Sequence, residues 1–240
     1  MSYFRPQSFE EGIGTVVGDI NDLSAQQRWN EETPVFAEAM LPYVPEGPSR
    51  ILDYGCGVGR LSREVLLRRH DCSLVGIDSS PVQLAHARGY VRDPRFDAAL
   101  PHEVSGQFDF AYCVYVLQHV RAVDLRQVVQ TIHASLKPGA YFVHCSSKRR
   151  MSVRDEYHAF FNDSFLGVNV EREVERLFEP VRDLFDEEAL RTHQVVRRMV
   201  LGLSNAEEPD DNWTMGEPHP AKVYRKRDIS VPYHLLPVDE

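Results

Sequence analysis

The sequence predicts an α/β fold: a mostly parallel sheet flanked by helices and closed by a C-terminal antiparallel hairpin. Three observations carry this. From Arg50 onward, short apolar strands alternate with helical stretches of about ten residues, the pattern of βαβ units. One strand runs into a loop with glycine at alternate positions, Gly55, Gly57 and Gly59. The last third carries two strand-like stretches, 194–203 and 221–228, joined by an acidic, proline-containing loop over 204–220.

The elements follow in chain order. Ser24 to Met40 reads as a helix, with Trp29, Phe36, Ala37 and Met40 near helical spacing, and it runs into the proline-rich turn Leu41 to Pro48. Ser49 to Tyr54 is a short strand, and Arg60 to Arg69 a helix with Leu61, Val65 and Leu66 on one face. Ser73 to Asp78 is the second strand. Ser80 caps the next helix and Pro81 stands at its first position. A weak third strand is expected around Arg95 and Phe96. Phe108 to Val116 is an almost unbroken run of β-branched and aromatic residues, as in a strand buried on both faces. A helical stripe through Leu125, Val129, Ile132 and Leu136 ends at Lys137-Pro138-Gly139, and Ala140 to Ser146 is the fifth strand. Residues 151–192 read as helix-rich and aromatic. The organisation is then one domain in four parts: a helical cap (1–48), a cofactor-binding core (49–150), a helical substrate lid (151–192), and a closing β-hairpin with a tail (193–240).

Composition bounds the function. The 240 residues are 42% hydrophobic and 26% charged, values of a globular chain. Against 36 Asp+Glu stand 27 Lys+Arg, and a net charge of −9 argues against a nucleic-acid partner, which calls for a basic face. The cysteines at 56, 72, 113 and 145 form no C-x-x-C pair, so free thiols and a reduced, cytoplasmic compartment are expected, with no metal site. Met1 to Gly14 holds no apolar secretory segment, and the longest apolar run, Phe110 to Leu117, is eight residues, short of the ~20 that span a membrane. The oligomeric state stays open, a homodimer included.

The glycine loop is the informative stretch. Glycine tolerates positive φ and lets a ligand approach the backbone, and ligands of open parallel sheets bind at the carboxyl ends of the strands. The spacing fails the dinucleotide pattern G-x-G-x-x-G in both registers, because Arg60 and Ser62 stand where the third glycine belongs; the P-loop pattern is absent as well. Asp53, just before the loop, suits a cationic amino group rather than a pyrophosphate. Asp78 ends the second strand nineteen residues beyond Gly59, where an acid can accept both ribose hydroxyls. Together these point to a nucleoside ligand.

The chain resembles the class I S-adenosylmethionine-dependent methyltransferases. Four blocks carry the resemblance in order: Leu52-Asp53-Tyr54-Gly55-Cys56-Gly57-Val58-Gly59; Gly76-Ile77-Asp78-Ser79-Ser80; Phe108 to Cys113 with Leu117-Gln118-His119-Val120; and Leu136-Lys137-Pro138-Gly139-Ala140. It implies a doubly wound, mostly parallel seven-stranded sheet of Rossmann-like type with a C-terminal antiparallel hairpin. It implies S-adenosyl-L-methionine as cofactor, with Gly55, Cys56 and Gly57 lining the methionine moiety and Asp53 holding its amino group. Asp78 and Ser79 would serve the ribose, Asp97 and Ala98 the adenine, and the Cys113 backbone the methionine end.

A methyl acceptor of O–H or N–H type loses a proton, and His119 and His144, each near the carboxyl end of a strand, are the candidate bases. Tyr115 and Gln118, and Tyr157 and His158 of the aromatic insertion, are candidate pocket residues for a small-molecule acceptor. Ordinary packing is the competing reading for the histidines and for the aromatic residues, and it is the favoured one. Arg28 and Trp29 either close over the cofactor or anchor the core. The motifs of amino-methylating DNA enzymes, cytosine C5 enzymes and arginine methyltransferases are missing, which favours a small acceptor over protein or nucleic acid. A non-catalytic cofactor-binding module and a NAD-dependent oxidoreductase are the other readings, the latter opposed by the glycine spacing.

Overall fold

The computed structural model describes residues 8–17, 24–120, 122–145, 170–201 and 221–229. Two helices open the described chain, α1 (Phe9–Val17) and α2 (Ala25–Met40). The α2 start is fixed by a reciprocal cap: Ser24 Oγ accepts from Gln27 N, and the Gln27 side chain accepts from Ser24 N. Then come β1 (Ser49–Tyr54), α3 (Arg60–Arg68), β2 (Cys72–Ile77), α4 (Pro81–Val91), β3 (Phe96–Ala99), β4 (Phe108–Val114), α5 (Ala122–Ser135) and β5 (Leu136–Cys145). The C-terminal part holds α6 (Val170–Glu175), β6 (Phe178–Asp183), α7 (Glu187–Thr192), α8 (Gln194–Leu201) and β7 (Ala221–Lys226).

The seven strands form one sheet in the order β3-β2-β1-β4-β5-β7-β6. The pairs β2–β3, β1–β2, β1–β4 and β4–β5 are parallel, and β7 runs antiparallel to both β5 and β6. The order reverses between β1 and β4, so the crevice for a ligand opens at the carboxyl ends of these two strands. One face packs Phe36, Ala37 and Met40 of α2, Leu61 and Val65 of α3, and Val196 and Met199 of α8 against Ile51, Phe110 and Tyr112. The other packs Leu125, Val129 and Ile132 of α5 and Val170 and Val174 of α6 against Leu52, Ala111 and Phe142.

Two expectations need correction. The stretch 194–203, read as a hairpin strand, is helix α8 up to Leu201: Val196 and Met199 are buried three apart, a helical and not a strand period. β7 pairs antiparallel with β5 and, on its other side, with β6, which falls inside the stretch read as a helical lid. Only Phe178 of β6 is buried, so its sequence shows no strand alternation, and Pro180 sits at a register shift in a strand at the end of the sheet order, where a missing N–H is tolerated. The third strand is also fuller than expected. It runs to Ala99 and carries Asp97 and Ala98 in register with Val75 and Gly76.

Candidate active site

The glycine loop leaves β1 and is pinned to the end of β2. Gly55 N and Cys56 N both donate to Ile77 O, at 2.7 and 2.8 Å. Gly55, Gly57 and Gly59 all have positive φ, at 83°, 55° and 84°. A Cβ on Gly55 would lie 2.2 Å from Cγ2 of Val116, and one on Gly59 would lie 2.6 Å from Cγ2 of Val91. So the loop needs glycine for conformation and for space. Cys56 is buried with its sulfur against Gly76, and Val58 packs beneath Trp29 and Ile13.

Two acids flank this loop in different surroundings. Asp53 is 4% exposed, and its Oδ2 accepts from Ser62 Oγ at 2.6 Å and from the Tyr112 hydroxyl at 3.0 Å. Burial pushes its pKa up to about 7, against the pull of these two hydrogen bonds. Asp78 is half-buried and braces backbone. Oδ2 accepts from Gly57 N at 3.1 Å and Oδ1 from Ser80 N at 2.8 Å. Burial raises its pKa too, and the backbone N–H groups of Ser80, Gly57 and Ser79 oppose that rise.

Further along the crevice, Asp97 is exposed and Ala98 buried, with the Ala98 carbonyl accepting from Arg88. Cys113 is buried beside His144 in the β4–β5 register. Tyr115, just past β4, has a φ of 59°, a left-handed conformation uncommon for an aromatic residue. Its hydroxyl donates to Met199 O at 2.8 Å, which ties the strand end to α8.

A buried charge cluster joins α2, α3 and α8 in a helical roof beside the glycine loop. Glu32 of α2 is wholly buried and meets Arg28 Nε at 2.9 Å, Arg198 Nε at 3.2 Å and Arg60 Nη2 at 3.4 Å. Arg60 Nε donates to Thr33 Oγ1 at 2.7 Å, and its guanidinium lies 5.4 Å from the Trp29 ring centroid. Burial lowers the Arg60 pKa and Glu32 works against that.

Residues 25–197 match the methyltransferase-domain family. The chain belongs to the class I S-adenosylmethionine-dependent methyltransferases. Among relatives of this methyltransferase, the sterol 24-C-methyltransferase of Debaryomyces hansenii is 38% identical over 101 residues, 39% of this chain and 26% of the relative. The ubiquinone biosynthesis O-methyltransferase of Pseudomonas aeruginosa is 37% identical over 98 residues, 38% of this chain and 40% of the relative. The aligned stretch thus spans well under half of either curated relative. In fold, it is similar to the magnesium protoporphyrin IX methyltransferase of Synechocystis, with a TM-score of 0.54 over 94% of both chains at 13% identity.

The residues present fit S-adenosylmethionine. That cofactor offers an ammonium and two hydroxyls as donors, and the methyltransferase sets two carboxylates, Asp53 and Asp78, at the ends of adjacent parallel strands. Asp78 also fixes the loop through Gly57, so one side chain can serve both loop and ribose. Asp97 and Ala98 lie beside Val75 and Gly76 near the carboxyl end of the third strand, where an adenine subsite would sit.

The acceptor-side expectations fare unevenly. His144 is 1% exposed, and burial, with Lys222 next to it in register, lowers its pKa to about 3, so its ring is neutral and a weak base at neutral pH. His119 ends a short 3₁₀ turn, Leu117–His119, and is half-buried. Gln118 lies in this turn. Tyr115 is in the crevice, packed edge-on against Phe36. Tyr157 and His158 fall outside the described residues. The sequence reading missed Ser62 as a partner of Asp53, and Glu32, Arg60 and Arg198. Arg60 stood next to Gly59, but nothing local marked its buried partner.

Elsewhere, a groove of about 690 Å³ lined by Phe9, Arg63, Leu67, His86, Tyr90 and Arg92 shares no residue with this site. Among the described residues the four cysteines are buried and form no disulfide, and no helix is long and apolar enough to cross a membrane.

Proposed function

We propose that the chain transfers a methyl group from S-adenosyl-L-methionine to an oxygen or nitrogen of a small molecule in the cytoplasm. The observation that carries this is the pairing of the positive-φ glycine loop with Asp53 and Asp78 at the β1–β2 strand ends. The relatives named above, a sterol 24-C-methyltransferase and a ubiquinone biosynthesis O-methyltransferase, are consistent with a small acceptor.

When bound, S-adenosylmethionine supplies a methyl group already activated by a sulfonium. The chain's task is then alignment and exclusion of water. Asp53 holds a cation at the loop, and Asp78 holds hydroxyls. Of the two candidate bases His119 is the one kept, since burial leaves His144 a weak base. A reduced compartment suits the four free thiols.

The test is calorimetry with S-adenosylmethionine and NAD, followed by a metabolite screen read by S-adenosylhomocysteine release. Micromolar binding of S-adenosylmethionine, none of NAD, and turnover with a small acceptor are expected. Binding without turnover across the panel would favour a non-catalytic module.

A further inference from the structure

The groove of about 690 Å³ lies among α1, α3 and α4, away from the glycine loop and its acids. Its volume is that of a small-molecule site, roughly 300–1,000 Å³. Part of the lining is apolar. The Phe9 and Tyr90 rings lie 4.8 Å apart, and Leu67 beside them is 56% exposed. The Tyr90 ring is held from behind, since Trp29 Nε1 donates to its hydroxyl at 3.2 Å. The apolar wall is therefore open to solvent and fixed in place.

The charged lining is one-sided. Arg63 is exposed and lies 4.8 Å over the Tyr90 ring centroid, and among the described residues its guanidinium makes no hydrogen bond or ion pair. Arg92 is exposed as well. Its Nε donates to Gly89 O at 2.6 Å, and its two Nη groups take no part in that bond. The carboxylate in the lining, Asp93, is already engaged: Oδ1 accepts from Arg95 N and Nε at 2.9 and 3.0 Å, and Oδ2 from Arg95 Nη2 at 2.6 Å. His86 adds a buried Nε2 with no hydrogen-bond partner among the described residues. A buried polar atom is normally satisfied by the chain, by water or by a bound group.

Helix C-termini disfavour anions, and α3 and α4 both end beside this groove. Here their terminal carbonyls are covered. Arg95 donates to Leu66 O at 2.9 Å and to Arg69 O at 2.6 Å, and Arg92 covers Gly89 O. The groove thus presents two accessible guanidiniums beside an apolar wall, and planar guanidinium forks suit a carboxylate.

We propose that this groove is a second ligand site, separate from the methyl-transfer crevice, and that it takes a small amphipathic acid: a carboxylate paired with Arg63 and Arg92, and an apolar body against Phe9, Tyr90 and Leu67. The proposal does not rest on the methyltransferase reading.

The probe is 2-naphthoate, titrated by calorimetry into the full chain with and without saturating S-adenosylhomocysteine, beside 2-naphthamide and acetate. The acid should bind about tenfold or more tightly than the amide, which keeps the ring and loses the charge. Acetate, which keeps the charge and loses the ring, should give no measurable heat at the same concentration. S-adenosylhomocysteine should leave the naphthoate affinity unchanged, because the groove shares no residue with the cofactor crevice. The double variant Arg63→Met with Arg92→Gly should lose about tenfold or more of that affinity. Both positions are exposed, and glycine suits the φ of 49° at Arg92, so the fold should persist by circular dichroism. Leu67→Glu, also at an exposed position, should abolish binding by putting a carboxylate on the apolar wall.

Absence of naphthoate binding, or equal affinity for acid and amide, overturns the proposal. So does an unchanged naphthoate affinity in the double variant or in Leu67→Glu. Loss of naphthoate binding in the presence of S-adenosylhomocysteine places the acid in the methyl-transfer crevice and overturns it too. Failure of S-adenosylhomocysteine to bind counts against the methyltransferase reading alone, since the titration without it still decides the groove.

Discussion

Asp53 and Glu32 are both buried acids near the same crevice, one at the end of the sheet and one in the roof, and they are surrounded in opposite ways. Asp53 has two hydroxyls for company, and among the described residues no cation pairs with it. Glu32 has three guanidiniums. The first carboxylate has no counter-charge among the described residues, and burial raises its pKa to about 7; the second lies among three cations. Asp53 thus lies on the floor of the crevice, at the strand ends, and Glu32 in a roof assembled from three helices.

The sharpest way to break this contrast is to remove the one carboxylate that gathers the roof. Glu32→Gln leaves three buried guanidiniums around a neutral amide. Breaking a buried ion pair from one side costs about 3–5 kcal/mol, so thermal or urea unfolding should show a loss of that order. A stability within about 0.5 kcal/mol of the parent, the range of an ordinary surface substitution, would mean that the roof is not organised by Glu32.

Next in size is the loop that carries the floor. Gly55→Ala forces a side chain to a φ of 83° and into Val116. Left-handed strain and overpacking together should cost on the order of 2–4 kcal/mol, shared between folding and cofactor affinity. Pairing it with Val116→Ala should recover the packing part but not the strain. If the double variant recovers nothing, the collision with Val116 is not the cause.

Asp78→Ala tests the floor by function. Two charge-assisted bonds to the ribose and the brace on Gly57 N are lost together, so S-adenosylmethionine should bind more weakly by about 2–3 kcal/mol. Unchanged affinity with an intact fold would remove Asp78 from the site.

The two acids also differ in how each was legible from sequence. Asp53, the loop and Asp78 lie within 26 consecutive positions, and glycine spacing betrays positive φ without any tertiary knowledge. The roof joins positions 28, 32, 60 and 198, which no window of sequence contains. Alternation could not reveal β6 because five of its six residues face solvent. The valines of α8 favoured a strand until its burial showed a three-residue step. Local backbone demands leave local marks; a charge cluster assembled by packing leaves none.

The smallest expected effect is the most direct measure of the floor's missing cation. An acid whose folded pKa of about 7 exceeds its ordinary value of 3.8 binds its proton more tightly when folded. Its contribution to stability is therefore full below pH 3.8 and is lost as pH rises through 7. His144 works the other way. Its folded pKa of about 3 lies below the ordinary 6.5, so its contribution is full above pH 6.5 and is lost as pH falls toward 3. The difference between the parent and Asp53→Asn cancels the histidine and isolates Asp53. In that difference, the ligand-free parent should lose stability from pH 4 to 7. Cofactor binding should show the complementary slope, because a bound ammonium favours ionised Asp53. S-adenosylhomocysteine affinity should climb by up to about tenfold per pH unit below pH 7 and then level off. Measurements between pH 5 and 7.5 stay below the range of about 7.7–8.0 where a free α-amino group loses its own proton. Asp53→Asn should flatten the slope. A parent affinity that is already flat over this range would show that the amino group is held elsewhere, and that Asp53 serves only Ser62 and Tyr112.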